Sequence, residues 1–301
     1  MNSFEQLLQK AKSYGLTNTA VVNPTDEVSL GGAIAGFQHG VINPILYGLQ
    51  TAIESTAKKH NFDVSKLQII NCESEEQAVN SAIKACHTGQ AQILMKGKIH
   101  TDHLMHAVVQ RDSGLRITGQ QISHVFTLEV PTYHKLLFIT DAAINIFPSV
   151  EQKQQILLNA IAFLNKLGIK KPKIACLSAL EEPYEKIEGS VAARSLALNE
   201  KLQQCSIIEG PLAFDNAISK RSANIKDIKS EVAGDVDLLL VPNLEAGNIL
   251  FKSLVYLAKA KVAGVVLGAK VPIVLTSRAD DANARLYSAI LAQLNCAKNV
   301  C

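Results

Sequence analysis

VDLLLVPNLEAGNILFK, residues Val236–Lys252, changes from strand to helix partway along its length. Val236–Val241 is a short apolar run of the kind that fills a buried strand. Pro242 ends it, and Gly247-Asn248 opens a helical pattern in which Ile249, Leu250, Leu254 and Leu257 share one side. A strand end, a glycine-bearing loop and free N–H groups at a helix start form a seat for a phosphate or carboxylate. Lys252, one turn into that helix, adds positive charge beside the seat.

Outward from this run, helical and strand-like patterns alternate along the whole chain. Helical periodicity covers Phe4–Tyr14, Ser29–Phe37, Thr51–His60, Ser74–His87, Val150–Leu167, Gly189–Cys205, Asn248–Lys261 and Ala279–Leu294. Strand-like runs fall at Thr19–Val22, Ile42–Tyr47, Leu67–Ile70, Ala91–Met95, Val125–Glu129, Lys135–Thr140, Lys173–Leu177, Val236–Val241, Gly264–Leu267 and Pro272–Leu275. Ser74 is the expected N-cap of its helix, with Gln77 three residues on. Such βα alternation argues for parallel sheets with helices on both faces. Two strands follow one another directly near residues 125–140 and again near 264–275, which marks places for the chain to cross between domains. A length of 301 residues suits two domains or one large α/β unit.

The bulk properties exclude several classes. Hydrophobic residues make up 48% and charged residues 19%, enough apolar material for a core and too little charge for disorder. A formal charge of +3 does not argue for a nucleic-acid or membrane partner. The first fifteen residues, MNSFEQLLQKAKSYG, are amphipathic and contain acid, unlike a signal peptide or anchor. No uninterrupted apolar run reaches the roughly 18 residues a membrane span needs. Cys72, Cys86, Cys176, Cys205, Cys296 and Cys301 lack CxxC spacing and read as reduced structural thiols of a cytoplasmic protein.

The helix-opening run also reads P-x-L-x-x-G-N-I-x-x-K. With GPLAFDNAIS (Gly210–Ser219), VAGDVDLLL (Val232–Leu240) and VLGAKVPIVLTSRAD (Val266–Asp280), it resembles the phosphate acetyl/butyryltransferase family. The resemblance runs over nearly the whole chain and is strongest from Met95 onward. It implies an isocitrate/isopropylmalate dehydrogenase-like architecture, two α/β lobes with parallel-type sheets flanked by helices and the active cleft between them. On that analogy the last helix returns to the first lobe. Residues 1–126 plus 269–301 form a discontinuous first domain, and 127–268 form the second. The implied reaction joins a short acyl-CoA (acetyl or butyryl) and phosphate to give acyl phosphate and CoA. Coenzyme A is then a substrate, no metal or prosthetic group is needed, and a homodimer or larger homo-oligomer is expected. Asn243, Gly247, Asn248 and Lys252 become substrate-binding candidates.

Other candidates follow from the same two kinds of reading. Ser277-Arg278 lies between a strand and a helix, where an arginine can fork onto phosphate oxygens or simply be solvated beside a capping hydroxyl. The resemblance implies that this pair touches the reacting acyl phosphate. Asp280 is the general base that the butyryltransferase-like SRAD implies, with Asp281 in reserve. The acid of the acetyltransferase branch, seven residues past the serine, would fall on Ala284. Asp141, at the end of LLFIT, either faces the cleft or caps a turn. In MKGKIHTDHLMHAVV (Met95–Val109), Lys96, Lys98, His100 and Thr101 can gather round an anion. His100, His103 and His106 do not make a metal site, because on a helix the third lies about 240° round from the first. His106 stands where butyryltransferases resembling this chain often carry arginine, and Arg116 is a further cleft candidate. GGAIAG (Gly31–Gly36) lacks the dinucleotide-binding order, and the phosphate-loop and nucleophile-elbow patterns are absent. Two rival readings remain, a metal- and NAD-dependent hydroxyacid dehydrogenase of the same architecture and a non-catalytic CoA- or acyl-phosphate-binding protein.

Overall fold

The computed structural model describes residues 2–111, 114–275 and 282–296. In chain order its first half comprises α1 (Phe4–Lys12), β1 (Thr17–Val22), α2 (Glu27–Gln38), β2 (Ile42–Gly48), α3 (Gln50–Lys59), β3 (Gln68–Asn71), α4 (Glu75–His87), β4 (Ile93–Lys96) and α5 (Thr101–Val108). There follow β5 (Ser123–Glu129), β6 (Leu137–Thr140), α6 (Val150–Leu167), β7 (Lys173–Leu177), α7 (Glu188–Ala197), α8 (Glu200–Cys205) and β8 (Ile207–Leu212). The last elements are α9 (Phe214–Ile218), α10 (Lys220–Ile225), β9 (Leu238–Leu240), α11 (Leu244–Tyr256), β10 (Lys261–Leu267), β11 (Ile273–Val274) and α12 (Ala282–Cys296).

The chain divides into two compact units, one discontinuous (Phe4–Gln120 with Ala263–Cys301) and one central (Gln121–Val262 with the residues up to Ser3). In the discontinuous unit the strand order is β3-β2-β1-β4-β11-β10. All neighbours pair in parallel except β10 and β11, which are antiparallel. Parallel neighbours need crossover helices, and the alternation in sequence supplies them. The α2 sequence, small and apolar all round, packs against α12 and β2.

In the central unit the order is β5-β6-β9-β7-β8, with β5 and β6 antiparallel and the rest parallel. Leu238, Leu239 and Leu240 are all buried, as expected for a strand covered on both faces. Asp237 fixes the entry to this strand. Its carboxylate accepts a hydrogen bond from the Lys173 backbone N–H at 2.8 Å and pairs with Lys135 Nζ at 2.7 Å. Beside it, Asp235 pairs with Lys173, Lys135 and His134.

α6 illustrates how local chemistry sets boundaries. Ser149 and Gln152 form a reciprocal capping box, and Gly168, at φ 99°, closes the other end in the left-handed conformation. At α4, Ser74 accepts from the Gln77 N–H as expected. The Gln77 side chain, however, returns to the backbone N–H of Glu73 rather than of Ser74.

Several boundaries differ from the periodic reading, each for a local reason. The helix expected over Asn248–Lys261 is α11, which starts earlier because the Asn243 side chain accepts from the Ala246 N–H and caps it. It also ends earlier, at Tyr256, since Lys259 is left-handed and Lys261 already belongs to β10. The helix expected over Gly189–Cys205 is two, α7 and α8, because Asn199 caps a new start by accepting from the Leu202 N–H. β8 is an addition, hidden in sequence by Gly210 and Pro211. Its place at the end of the strand order tolerates a proline, which has no N–H to donate. α9 and α10 follow it. Burial pushes the Cys86 and Cys176 thiols up to about 12, in keeping with inert core thiols.

The Asp235 cluster yields a pH prediction. Burial alone would raise the Asp235 pKa, but hydrogen bonds from Lys173, Lys135 and His134 hold it well below its ordinary 3.8. A carboxylate depressed on folding adds stability above its unfolded pKa and loses it as pH falls. Stability should therefore decline below about pH 5. In urea titrations over that range, Asp235→Asn should be less stable than wild type at neutral pH and show a shallower loss on acidification.

Candidate active site

Within the central unit, the turns after β6 and β9 meet. Gly247, the fourth residue of α11, is buried against the first of these. A Cβ placed there would lie 2.7 Å from Val241 Cγ2, 2.8 Å from Ala142 Cβ and 3.1 Å from Ala142 Cα. Only glycine lets the helix approach the 141–142 backbone this closely. Asn248 then reaches across, its Nδ2 donating to the Ala142 carbonyl at 3.4 Å. Gly247 and Asn248 therefore lie inside the helix rather than at its opening, and the Gly247 N–H is already bonded to the Asn243 carbonyl. The cap at the helix mouth is Asn243. Lys252 is exposed one turn beyond Asn248 on the same helix face, two turns from the cap rather than one.

Asp141 lies at the centre of the first turn and is buried. Its Oδ1 accepts from the N–H groups of Ala143 (2.9 Å) and Ile144 (3.0 Å). Its Oδ2 accepts from the His124 N–H (3.1 Å) and Asn145 Nδ2 (2.5 Å). A carboxylate has about four lone-pair sites, and here the protein's own donors engage them. These are the bonds of a turn cap. Burial raises the Asp141 pKa, and the backbone and Asn145 hydrogen bonds pull against that rise. Asn145 also donates to the Ile122 carbonyl, tying the turn to the start of β5. His124 is fully enclosed, and burial pushes its imidazole down to about 3, so it stays neutral. Its ring packs 4.2 Å from Phe126, which stacks at 3.9 Å on Phe251 of α11. This aromatic ladder fixes α11 over β5.

In the discontinuous unit, the turn after β4 carries Lys98, His100 and Thr101 at its surface, all exposed. The Lys98 N–H donates to the Asn23 carbonyl and the Asn23 side chain donates to the Lys98 carbonyl, so the backbone is fixed. Lys96 differs from its expected place at an anion. It is buried, and its Nζ donates to the carbonyls of Ile99 (3.1 Å) and Gly97 (3.4 Å). His100 occupies the N-cap position of α5 without a capping bond from its side chain. His103 pairs with Glu75 and His106 contacts Gln110, and among the described residues no cluster could hold a metal ion. Arg116 is exposed and bridges Ala269 through its backbone. Ser277, Arg278, Asp280 and Asp281 lie outside the described residues.

Two polar groups of the central unit were not singled out from sequence. Asn145 is legible in retrospect only as the fourth residue after Asp141 in TDAAIN. Lys153 lies in the polar stretch EQKQQ at the start of α6 and carries no motif, yet it is buried.

The chain matches the family described as phosphate acetyl/butaryl transferase over residues 76–293. It is 44% identical to a phosphate acetyltransferase of Rhizobium meliloti over 99% of this chain and 94% of that protein. It is 41% identical to a probable phosphate butyryltransferase of Bacillus subtilis, over 96% of each. Among solved structures it is similar to a branched-chain phosphotransacylase from Enterococcus faecalis, with a TM-score of 0.83 and 30% identity, covering 93% of this chain and 99% of that one.

The Asp141 geometry is open to a direct check. Asp141→Asn preserves shape but turns an amide N–H₂ toward N–H donors. It should cost about 1–3 kcal/mol through the groups left unpaired. Urea denaturation at neutral pH would measure it.

Proposed function

We infer the function of this chain from its family, for it belongs to the phosphate acetyl/butyryltransferases. It is an acyltransferase that interconverts a short-chain acyl-CoA plus phosphate with acyl phosphate plus CoA. The observation that carries this reading is the family match, whose span includes both the P-x-L-x-x-G-N-I-x-x-K run and the SRAD motif. The named relatives speak for acyl transfer rather than hydroxyacid oxidation. Their names divide among acetyl, butyryl and branched-chain acyl groups, and one methylene changes binding by only about 1–3 kcal/mol.

In the direction of acyl-CoA synthesis, Asp280 takes the proton from the coenzyme A thiol, with Asp281 as the alternative base. The thiolate attacks the carbonyl carbon of the acyl phosphate, a C–S bond forms, and the C–O bond to phosphate breaks. Arg278 forks onto the phosphate oxygens and Ser277 hydrogen-bonds the oxyanion as charge moves. Positioning two anionic substrates supplies most of the acceleration. Lys98, His100, Thr101, Arg116 and Lys252 supply positive or polar contacts to these anions, and Asn243 and Asn248 shape their seat. Coenzyme A enters as substrate, and no resident cofactor is needed. We assign the working form to a cytoplasmic homodimer or larger homo-oligomer. Among the described residues no helix is long and apolar enough to cross a membrane.

Phosphate-dependent release of free thiol from acetyl-, propanoyl- and butanoyl-CoA tests the reading, with turnover expected on at least one. Arg278→Ala should lower kcat by about 10²–10³-fold, and Ser277→Ala should lower it by a smaller factor. Absence of phosphate-dependent thiol release, or full turnover in both variants, would sink it.

A further inference from the structure

A cavity of about 610 Å³ opens in the central unit outside the carboxyl ends of β6, β7 and β9. β9 enters the sheet between β6 and β7, so the strand connections diverge there, the place where α/β sheets leave a crevice for ligands. The walls are mostly apolar, including Phe147 and Pro148 before α6, Val191 and Ala192 of α7, and Pro242 after β9.

Lys153 is the exception. It lines the cavity, yet as a residue it is only 6% exposed. Among the described residues its ammonium has no hydrogen-bond or ion-pair partner. With most of its side chain out of water, the ammonium loses hydration that no described group replaces, and burial accordingly lowers its pKa. Glu185 and Glu188 also line the cavity, but both are exposed and neither pairs with Lys153. The capped N-termini of α6, at Ser149, and α11, at Asn243, also line the cavity and add positive partial charge.

We propose that this cavity binds an aliphatic monocarboxylate, with the carboxylate paired to Lys153 and the hydrocarbon tail along Phe147, Pro148, Val191 and Pro242. One buried positive charge matches one negative charge. Two further carboxylates at the rim disfavour a dianion such as phosphate, whose second charge would meet them uncompensated. The apolar walls reward a hydrocarbon tail. The volume lies within the ordinary range for small-molecule sites and exceeds what a two-carbon acid fills. Of the residues assigned to acyl transfer, Asn243 also lines this cavity, whereas Lys153 and the apolar wall belong to none of them.

Calorimetric titration of the full chain with octanoate, butanoate and inorganic phosphate tests the proposal. Octanoate should bind, butanoate more weakly, and phosphate should not compete. Lys153→Met keeps the stem, removes the charge and should raise Tm, while weakening octanoate binding by roughly tenfold or more, about 1.4 kcal/mol. Lys153→Arg should retain binding. Arg278→Ala should leave it unchanged, which separates this cavity from the transfer site. In the wild-type protein, octanoate should also protect Lys153, and not exposed Lys252, from acylation by acetic anhydride read by mass spectrometry. Octanoate binding that survives Lys153→Met, or is lost with Arg278→Ala, would overturn the assignment. So would phosphate competing for the site, unprotected Lys153, or no octanoate binding at all.

Discussion

The central unit depends on β9 lying between β6 and β7. Three leucines, Leu238–Leu240, hydrogen-bond to strands on both sides and are covered on both faces. The strand is short, so its placement has to be secured at its ends. Asp237 does this at the entry by binding the backbone of β7 and the side chain of Lys135 together. At the exit, Gly247 allows α11 to lie directly on the turn after β6. A slip of one residue would turn the leucine at 239 to the opposite face and separate Asp237 from both partners. Register, turn contact and cavity therefore form one constraint.

That constraint explains which features were legible in the sequence. A short apolar run ended by Pro242 identifies β9, and the helical period over Val150–Leu167 gives α6 to the residue. The parallel α/β class follows from alternation, because crossovers between parallel strands need helices. α11 was harder, since Leu244, Glu245 and Ala246 favour a helix without declaring its start. The asparagine at 243 caps it through a local bond that the motif at 247–248 obscures. β8 was masked because Gly210 and Pro211 are breakers in an interior strand and tolerable only at an edge. Edge position is a property of the assembled sheet, not of the residues.

The site divides in the same way. Motifs of the family brought Gly247 and Asn248 to attention, and the structure shows the physical need for the first and a concrete contact for the second. Whether a carboxylate such as Asp141 is free or engaged cannot be read from TDAAIN. One of its four donors comes from β5 and three from the turn that follows it. The exposed group Lys98, His100 and Thr101 was legible because a strand, a glycine turn and a helix start are local features.

Asp141 and Lys153 show how burial separates structural from ligand-facing charge. Each removes an ionisable group from water, at a cost of several kcal/mol unless partners replace the lost hydration. Around Asp141 the chain supplies four donors, and the carboxylate in return holds a tight turn in place. Around Lys153 the described chain supplies no acceptor, although two glutamates stand at the rim of the same cavity. A lysine on the first turn of a helix also suffers from the positive end of the helix dipole. Packing alone would be served as well by methionine or leucine at this position, without the desolvation. A charge kept at that cost, facing an open apolar-walled space, is accounted for by a negative group arriving from outside the chain.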